Sequence, residues 1–319
     1  MSEPTGTGDD TGPELVRQQS WPATEPAELE VSIDVGRVQV TLSDTDEVRV
    51  EVRHDPAAGS TWTQGLSGLF NWLGSATSAP GGPFGSGGPF RAPETDVATD
   101  AVRAAEISWS ELGRRLVVRS ATELPLRMVP LAVTVSAPSR SRVAVRTGAG
   151  DVSVTGRAGW AAVRTGSGDA RLEEVDGDLE VTTGSGEVDL GPVSGRARIR
   201  TGSGRITVAA LGGRTEIRAG SGDVRLGEVA ADLGVRTGSG EVTVADAVSG
   251  DFDLTTGSGG LRIGVHSGVA AELDLSSGSG RARSDLDVGG MAPEQTPALH
   301  IRGRTGTGDV LVTRAAVMV

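Results

Sequence analysis

A four-residue motif, Thr-Gly-Ser-Gly or a close variant, recurs through more than half of this 319-residue chain. Its first glycine lies at Gly148, Gly166, Gly184, Gly202, Gly220, Gly238, Gly257, Gly278 and Gly306. The spacing between copies is constant from Gly148 to Gly238 and lengthens progressively after that. A period this regular indicates one small structural unit per repeat, stacked on its neighbours. The sequence therefore constrains the architecture far more tightly than the activity.

Each repeat predicts two short strands. In residues 184–201, apolar side chains alternate with Asp and Arg in two runs, and glycines near each run supply the turns. Stacking the repeats aligns aliphatic side chains in columns, and strands stacked ~4.8 Å apart form parallel sheets. We expect right-handed coiling, the usual hand of parallel crossovers. One predicted core column consists of Val163, Val181, Ile199, Ile217, Val235, Leu254 and Leu275.

The Thr-Gly-Ser-Gly motif is predicted to form the corner between the two strands. Glycine takes positive φ angles without steric cost, so we expect both glycines to do so in a tight corner. Threonine and serine recur at fixed positions of the corner. We expect their stacked hydroxyls to hydrogen-bond from coil to coil.

The chain before the repeats also has the pattern of β-strands. Apolar and polar residues alternate between Leu29 and Val52, and further strands are indicated at 107–109, 116–118 and 131–135. The predicted fold is all-β: a parallel β-solenoid with coils of about 18 residues, preceded by N-terminal strands.

The predicted domain organisation has three parts. Residues 1–26, rich in Pro, Thr, Gly and Glu, are predicted to be a disordered tail. Residues 27–319 are predicted to form a single solenoid domain whose regular repeats span 131–319. A Gly/Pro-rich insert over 56–100 interrupts this domain, because a low-complexity stretch of this kind cannot bury a core.

The insert contains the one candidate contact site for a partner. Five apolar residues follow each other at helical spacing. This segment could pack on the flank or open end of the solenoid, bind a partner or a membrane interface, or be disordered. The candidate partner-contact residues are Trp62, Leu66, Leu69, Phe70 and Leu73.

Composition disfavours several classes of function. The net charge is -12, whereas a nucleic-acid-binding protein needs a basic face to displace counterions. The chain has no cysteine, which excludes thiolate zinc sites and thiol catalysis. It has no lysine either, so the glycine-rich turns are not phosphate-binding loops, which require Gly-Lys-Ser/Thr. We expect no cofactor and no nucleic-acid partner.

The residue after each corner resembles a column of calcium ligands. The phrase Gly-Ser-Gly-Asp-Val is similar to the calcium-binding nonapeptide of β-roll toxins, but the acidic residue comes one place early. Arg205 and Arg281 also occupy this column and would repel calcium. The histidines, His54, His266 and His300, fit no ligand spacing and are expected at the surface. We therefore expect no metal site.

The location is predicted to be cytoplasmic. The N-terminal segment is acidic and lacks the apolar region of a secretory signal, and no apolar run approaches the ~20 residues that span a bilayer. A surface location stays open.

From Val129 onward the chain resembles a bacterial family of β-strand repeats called "putative adhesin", whose function is unknown. The resemblance lies in LAVTVSAPSRSRVAVRTGAGDVSV (131–154) and in the TGSGDV and TGSGEV repeats that follow. The strands at 31–52 and 113–120 also resemble the N-terminal part of that family. The resemblance implies a β-solenoid with adhesin-like binding and carries no catalytic residues.

The sequence thus predicts a non-enzymatic binding or scaffold protein that presents its repeat surface to an unknown protein or glycan. The alternative is a cytoplasmic structural protein that assembles end to end into homo-oligomers or filaments. An enzyme is the weakest hypothesis, because carbohydrate-active solenoids usually combine acidic clusters with aromatic residues on one face. Within the repeats the aromatic residues are Trp160 and Phe252.

Overall fold

The predicted parallel β-solenoid is confirmed. The structure, a computed structural model, describes residues 15–57, 94–286 and 298–316. Each regular coil contains one strand before its Thr-Gly-Ser-Gly corner and one strand after it. The first strands of successive coils pair in parallel to form a front sheet, and the second strands form a back sheet. Over residues 160–247 both sheets keep one register from coil to coil, because the repeat length there is constant.

The front sheet contains the strand that precedes each corner. These strands are β8 (Trp160–Thr165), β10 (Leu179–Thr183), β12 (Ala197–Thr201), β14 (Thr215–Ala219), β16 (Leu233–Thr237), β18 (Gly250–Thr256), β20 (Ala271–Ser277) and β22 (Leu299–Thr305). The back sheet contains the strand that follows. These strands are β9 (Ala170–Val175), β11 (Val188–Val193), β13 (Ile206–Leu211), β15 (Val224–Val229), β17 (Val242–Ala247), β19 (Leu261–Val265), β21 (Ala282–Ser284) and β23 (Val310–Arg314).

Two longer strands, β2 (Glu28–Ser43) and β7 (Arg142–Ala158), run through the corner and belong to both sheets. The remaining strands are β1 (Val16–Pro22), β3 (Glu47–His54), β4 (Glu106–Ser110), β5 (Arg115–Arg119) and β6 (Leu131–Pro138). Helix α1 spans Glu94–Ala104, and a short 3-10 helix spans Leu126–Met128.

The core consists of the predicted aliphatic columns. Val188, Ile206 and Val224 occupy one register position in neighbouring coils, and all three are buried. The column through Val181 and Ile199 is equally buried. Alternate residues point outward, so each strand is apolar on one face and polar on the other. Stacked Val, Leu and Ile are enough to fill a core this thin.

The two ends of the solenoid are built out of chain order. At the N-terminal end, β2 lies between β5 and β6 on one side and β7 on the other. At the C-terminal end, the coil of β22 and β23 lies between the coil of β18 and β19 and the coil of β20 and β21. At the C-terminal end the last described coil is therefore held between two earlier coils, and at the N-terminal end the inserted strand is β2.

This arrangement corrects one predicted column. Leu254 and Leu275 were expected on adjacent strands, but each is paired with Gly303 from opposite sides. A Cβ atom at Gly303 would lie 3.1 Å from Leu275 Cδ2 and 3.4 Å from Leu261 Cδ1. Leu275 and Leu261 fill the space that the glycine leaves. Sequence order alone would place Leu275 next to Leu254, whereas the strand of Gly303 lies between them.

Antiparallel strands end the two sheets at the N-terminal end. Strand β1 pairs with β3 and strand β4 pairs with β5. Trp21 of β1 and Trp109 of β4 stack with their ring centroids 5.7 Å apart, joining the front and back sheets. The prediction of a disordered tail over 1–26 is wrong for residues 16–22, because β3 offers them a free edge. Residues 1–14 lie outside the described part of the chain.

Helix α1 begins inside the predicted 56–100 insert and continues past its end to Ala104, which corrects the C-terminal boundary of the insert. Its Ala101 and Val102 are buried. The Arg17 guanidinium donates hydrogen bonds to the carbonyl oxygens of Val102, Arg103 and Ala105, where the helix leaves carbonyls without partners. The rest of the insert, residues 58–93, lies outside the described residues.

Two expectations about the corners are wrong. The described positive-φ glycines are Gly36, Gly156, Gly250 and Gly268, none of which belongs to a Thr-Gly-Ser-Gly corner. The corner glycine is required instead by close packing of the coils. A Cβ atom at Gly186 would lie 1.9 Å from the carbonyl oxygen of Gly168 one coil away.

The corner hydroxyls also make different bonds from those expected. Thr183 Oγ1 accepts a hydrogen bond from the backbone N–H of Gly186, at 3.0 Å, within the same corner. Thr256 Oγ1 does the same with Gly259 and also donates to the carbonyl oxygen of Gly240 in the preceding coil. The corner threonines are buried and, except for Thr147, whose Oγ1 has no hydrogen-bond partner among the described residues, they bond to backbone groups rather than to each other. The corner serines are exposed.

Candidate binding surface

The outward side of the front sheet carries a basic patch on an acidic protein. The patch comprises six adjacent strands, from the first half of β7 to β16, with three outward positions in each coil. These 18 positions hold nine arginines against four carboxylates, a net charge of +5 on a chain of net charge -12. We call this surface the basic front face. Its arginines are Arg142, Arg146, Arg164, Arg196, Arg198, Arg200, Arg214, Arg218 and Arg236, and its carboxylates are Asp178, Glu180, Glu216 and Asp232.

One column of this face is almost entirely arginine. The residue immediately before each corner threonine points outward, and the strand register aligns these residues from coil to coil. Neighbouring positions are separated by one strand spacing, ~4.8 Å. We call this column the arginine ladder. In order along the solenoid it contains Arg146, Arg164, Thr182, Arg200, Arg218 and Arg236.

Carboxylates in the neighbouring column pair with part of the ladder. Glu180 lies 3.1 Å from Arg164, and Glu216 lies 2.5 Å from Arg218. The hydrogen bond from Arg218, helped by the charges of nearby arginines, lowers the pKa of Glu216 below its ordinary value. Arg146 and Arg200 form no ion pair with any carboxylate in the described part of the chain. Their guanidinium groups are exposed and available to an external anion.

Two shallow depressions lie on this face beside the ladder. One, of 460 Å³, is lined by Gly234, which contributes no side chain, and by Glu216, Arg218 and Arg236. The other, of 330 Å³, is lined by Trp160 together with Arg196, Arg198 and Glu180. The Arg142 guanidinium lies 5.0 Å from the centroid of the Trp160 ring. Trp160 is therefore a half-buried aromatic surface next to a group of cations.

The acidic column after the corners has a structural role. Asp169 Oδ1 accepts a hydrogen bond from the backbone N–H of Glu187, at 2.9 Å, in the next coil. Asp223 does the same for Glu241, at 3.1 Å. These carboxylates satisfy backbone donors that would otherwise have no partner where each strand begins. Across 15–57, 94–286 and 298–316, no three His, Asp or Glu side chains converge as metal ligands would.

The histidines do not form a joint site. His266 Nδ1 lies 2.8 Å from Asp246 on the back of the solenoid, and His300 Nδ1 lies 3.2 Å from Glu272 at its C-terminal end. Both side chains are substantially exposed, as the sequence predicted.

The predicted partner-contact residues, Trp62, Leu66, Leu69, Phe70 and Leu73, lie outside the described residues. The structure instead assembles a basic face that the sequence analysis did not identify. Its signal was present in the sequence, because Arg precedes the corner at most of the regular repeats. Only the register shows that these arginines share one column on one face.

Comparisons with known proteins show that the chain has distant structural similarity to a few solved structures. No family model matches the chain, and no curated protein matches it. A "putative adhesin" from Bacteroides fragilis is 10% identical, with 93% of this chain and 97% of that chain covered and a TM-score of 0.38. Another from Parabacteroides merdae is 10% identical over 93% and 95% of the two chains, with a TM-score of 0.37. A "putative cell adhesion protein" from Clostridium sporogenes is 6% identical over 95% and 100%, with a TM-score of 0.21.

TM-scores this low carry no conclusion about the function of this chain, and the family resemblance stays a prediction. Separately, none of the helices in the described residues has the length and apolar character needed to cross a bilayer.

Proposed function

We propose that this protein is a non-enzymatic binding module that holds a protein or glycan partner on its basic front face. The solenoid acts as a rigid support, and the outward side chains of successive coils act as one extended, periodic surface. Binding on this face requires no particular compartment, so the cytoplasmic location stays a separate prediction.

One observation carries the proposal: six consecutive coils place a net charge of +5 on one side of a chain whose total charge is -12. Charge of one sign over an extended face attracts partners of opposite charge and orients them as they approach. The face is also continuous, because every coil repeats the same register.

The described groups whose pKa values are shifted are ion-paired rather than poised for proton transfer. Glu30 and Glu216 have lowered pKa values, and Arg37, Arg115 and Arg127 have raised ones, each because of a hydrogen-bonded partner of opposite charge. Shifts in these directions hold each group in its charged form. General acid-base catalysis needs the opposite, a group poised to change its charge near the working pH.

The ends of the solenoid favour a second candidate function, assembly of several copies end to end. Strands β20 and β21 pair on one side only among the described strands, which leaves an edge of backbone groups at the C-terminal end. Leu273 and Leu275 are only partly buried at this end. One feature opposes this second candidate. Glu272 and Asp274 point outward on the same strand, and charges on an edge strand disfavour pairing with another copy.

The proposed function is tested by reversing charge on one face at a time. Front-face variant R198E/R200E/R218E and back-face variant R171E/R205E/R225E change the net charge equally. Both are applied with the wild type to arrays of purified glycans and proteins. We expect a ligand that the wild type and the back-face variant retain and the front-face variant loses. Equal binding by all three proteins would contradict the proposal.

Self-association needs its own measurement, sedimentation velocity over a hundredfold range of protein concentration. Growth of the sedimentation coefficient with concentration, unaffected by the front-face substitutions, would favour end-to-end assembly. A constant coefficient would eliminate it.

A further inference from the structure

We propose that the basic front face binds a linear acidic polysaccharide, a polymer whose sugars carry carboxylate or sulfate groups, lying along the arginine ladder. This inference rests on the proposed function and names the chemical class of its partner. It follows from the spacing of the arginines, from the free state of two of them, and from the groups that lie between them.

The ladder fits a polymer with anionic groups at regular intervals. Its five arginines lie on six consecutive strands, so cations recur at one or two strand spacings, ~4.8 or ~9.6 Å, along a straight line. A guanidinium group binds carboxylate or sulfate oxygens through two parallel N–H donors. The ladder runs along the solenoid axis, so a bound polymer would cross successive coils and contact one arginine after another.

Binding an external anion here costs little within the protein. Arg146 and Arg200 have no ion pair to give up with the described carboxylates. Arg164 and Arg218 each pair with a glutamate, but their side chains are 54% and 52% exposed. Ion pairs this exposed contribute little to stability, because water screens them and two long side chains must be held in one geometry. A ligand carboxylate or sulfate can therefore replace the glutamate without destabilising the fold.

The groups beside the ladder favour a sugar polymer over a nucleic acid. Glu180 and Glu216 lie in the neighbouring column, so a polymer lying here meets hydrogen-bond acceptors beside the arginines. The same carboxylates are acceptors, and sugar hydroxyls are donors that nucleic acid backbones present far more sparsely. Trp160 is half-buried, lines the same depression as Arg196 and Arg198, and offers an apolar surface on which a sugar ring can pack.

The test measures binding of defined polymers by isothermal titration calorimetry at low and at near-physiological concentrations of NaCl. The probes are heparin, which is sulfated, polyglucuronate, which carries carboxylates alone, neutral dextran, a single-stranded DNA oligonucleotide, and polyglutamate. The variant is R146Q/R200Q, which removes the two ladder arginines that have no ion pair and leaves every described carboxylate with its ion-pair partner. The matched control is R171Q/R225Q on the back sheet, with the same change of charge.

We expect heparin or polyglucuronate to bind the wild type and the control, and dextran to bind neither. The ladder variant should bind about tenfold more weakly, since two charge contacts are lost. The dependence of log K on log salt should decrease in slope by about two. W160A should weaken polysaccharide binding further while leaving any residual polyglutamate binding unchanged. Heparin alone would assign the ligand as sulfated, and binding of both polymers would assign it to acidic sugars generally.

Two results would overturn the inference. Equal affinity of R146Q/R200Q and R171Q/R225Q for the acidic polysaccharides would mean that the ladder is not their site. DNA or polyglutamate binding more tightly than either polysaccharide would mean that the partner belongs to another class. If the glycan and protein arrays still identify a partner that depends on the front face, only the proposed ligand class is wrong. If no ligand depends on the front face, the proposed function is wrong as well.

Discussion

Replacing Gly204 by alanine tests the close packing of the corners. A Cβ atom at Gly204 would lie 1.8 Å from the carbonyl oxygen of Gly186 in the preceding coil, whereas real Cβ contacts essentially never fall below 3.0 Å. The obstacle is backbone, so it cannot rotate away as a flexible side chain could. To bring this Cβ–oxygen distance from 1.8 Å to beyond 3.0 Å, the two corners must move apart.

The cost follows from the hydrogen bonds that hold these corners together. The backbone N–H of Gly202 donates to the carbonyl oxygen of Thr183 at 3.2 Å, and that of Ser203 donates to Gly184 at 3.1 Å. Gly184, Gly202 and Ser203 are exposed, so water replaces part of what is lost, and the net cost is about 0.5–1.5 kcal/mol for each bond. Loss of both bonds should lower the free energy of unfolding by about 1–3 kcal/mol, a sizeable part of the ~5–15 kcal/mol typical of a folded protein.

The matched control is Gly234→Ala, on the basic front face. The nearest atom to a Cβ there is the carbonyl oxygen of Thr215, at 3.9 Å, so alanine fits without movement. We expect this variant to be unchanged or stabilised by about 0.4–1 kcal/mol, because alanine restricts the unfolded chain. Urea unfolding followed by circular dichroism measures both variants, and hydrogen exchange shows whether the damage begins at the altered corner. Equal stability of the two variants would refute the close-approach explanation.

Three further outcomes are expected. Val224→Asp should destabilise the middle coils by several kcal/mol, because it buries an unpaired charge. Arg225→Asp, on the exposed side of the same strand, should not. Limited proteolysis compares the two variants, and equal resistance would contradict the assigned core. Millimolar calcium should leave the melting temperature unchanged, because Asp169 already accepts a backbone hydrogen bond; a rise reversed by chelator would contradict this. The hydrogen bond from Arg115 lowers the pKa of Glu30 below its ordinary value of 4.5, so its stabilising contribution is present above that pH and lost as the pH falls through the lowered value. Urea unfolding of E30Q should therefore differ from that of the wild type at neutral pH and converge with it in acid, and a constant difference would show that Glu30 acts without its charge.

The repeated pattern allowed the solenoid and most of its core to be predicted from the sequence. A constant period repeats the same local preferences, so the alternation in one coil applies to all of them. Val188, Ile206 and Val224 could therefore be assigned to one column without knowing any long-range contact. The prediction failed where the period ends, because Leu275 is separated from the Leu254 strand by a coil that comes later in the chain.

The corners show a second limit of sequence reasoning. The motif correctly located a turn, but two physical causes require glycine: a positive φ angle and a close approach between backbones. Only the second operates at Gly186 and Gly204, and it depends on the distance to the neighbouring coil. The same holds for Asp169, whose position resembled a metal ligand until its hydrogen bond to the next coil was known.

The sequence by itself determined the type of coil, because alternation and turn residues are local properties that each repeat restates. Tertiary structure alone decided the order of the coils at both ends, since insertion of β2 and of β22 between other coils depends on backbone pairing between distant segments. It also decided the basic front face. Arginines that are one full repeat apart in the chain become neighbours only when the coils stack, and their combined charge is a property of that stacking.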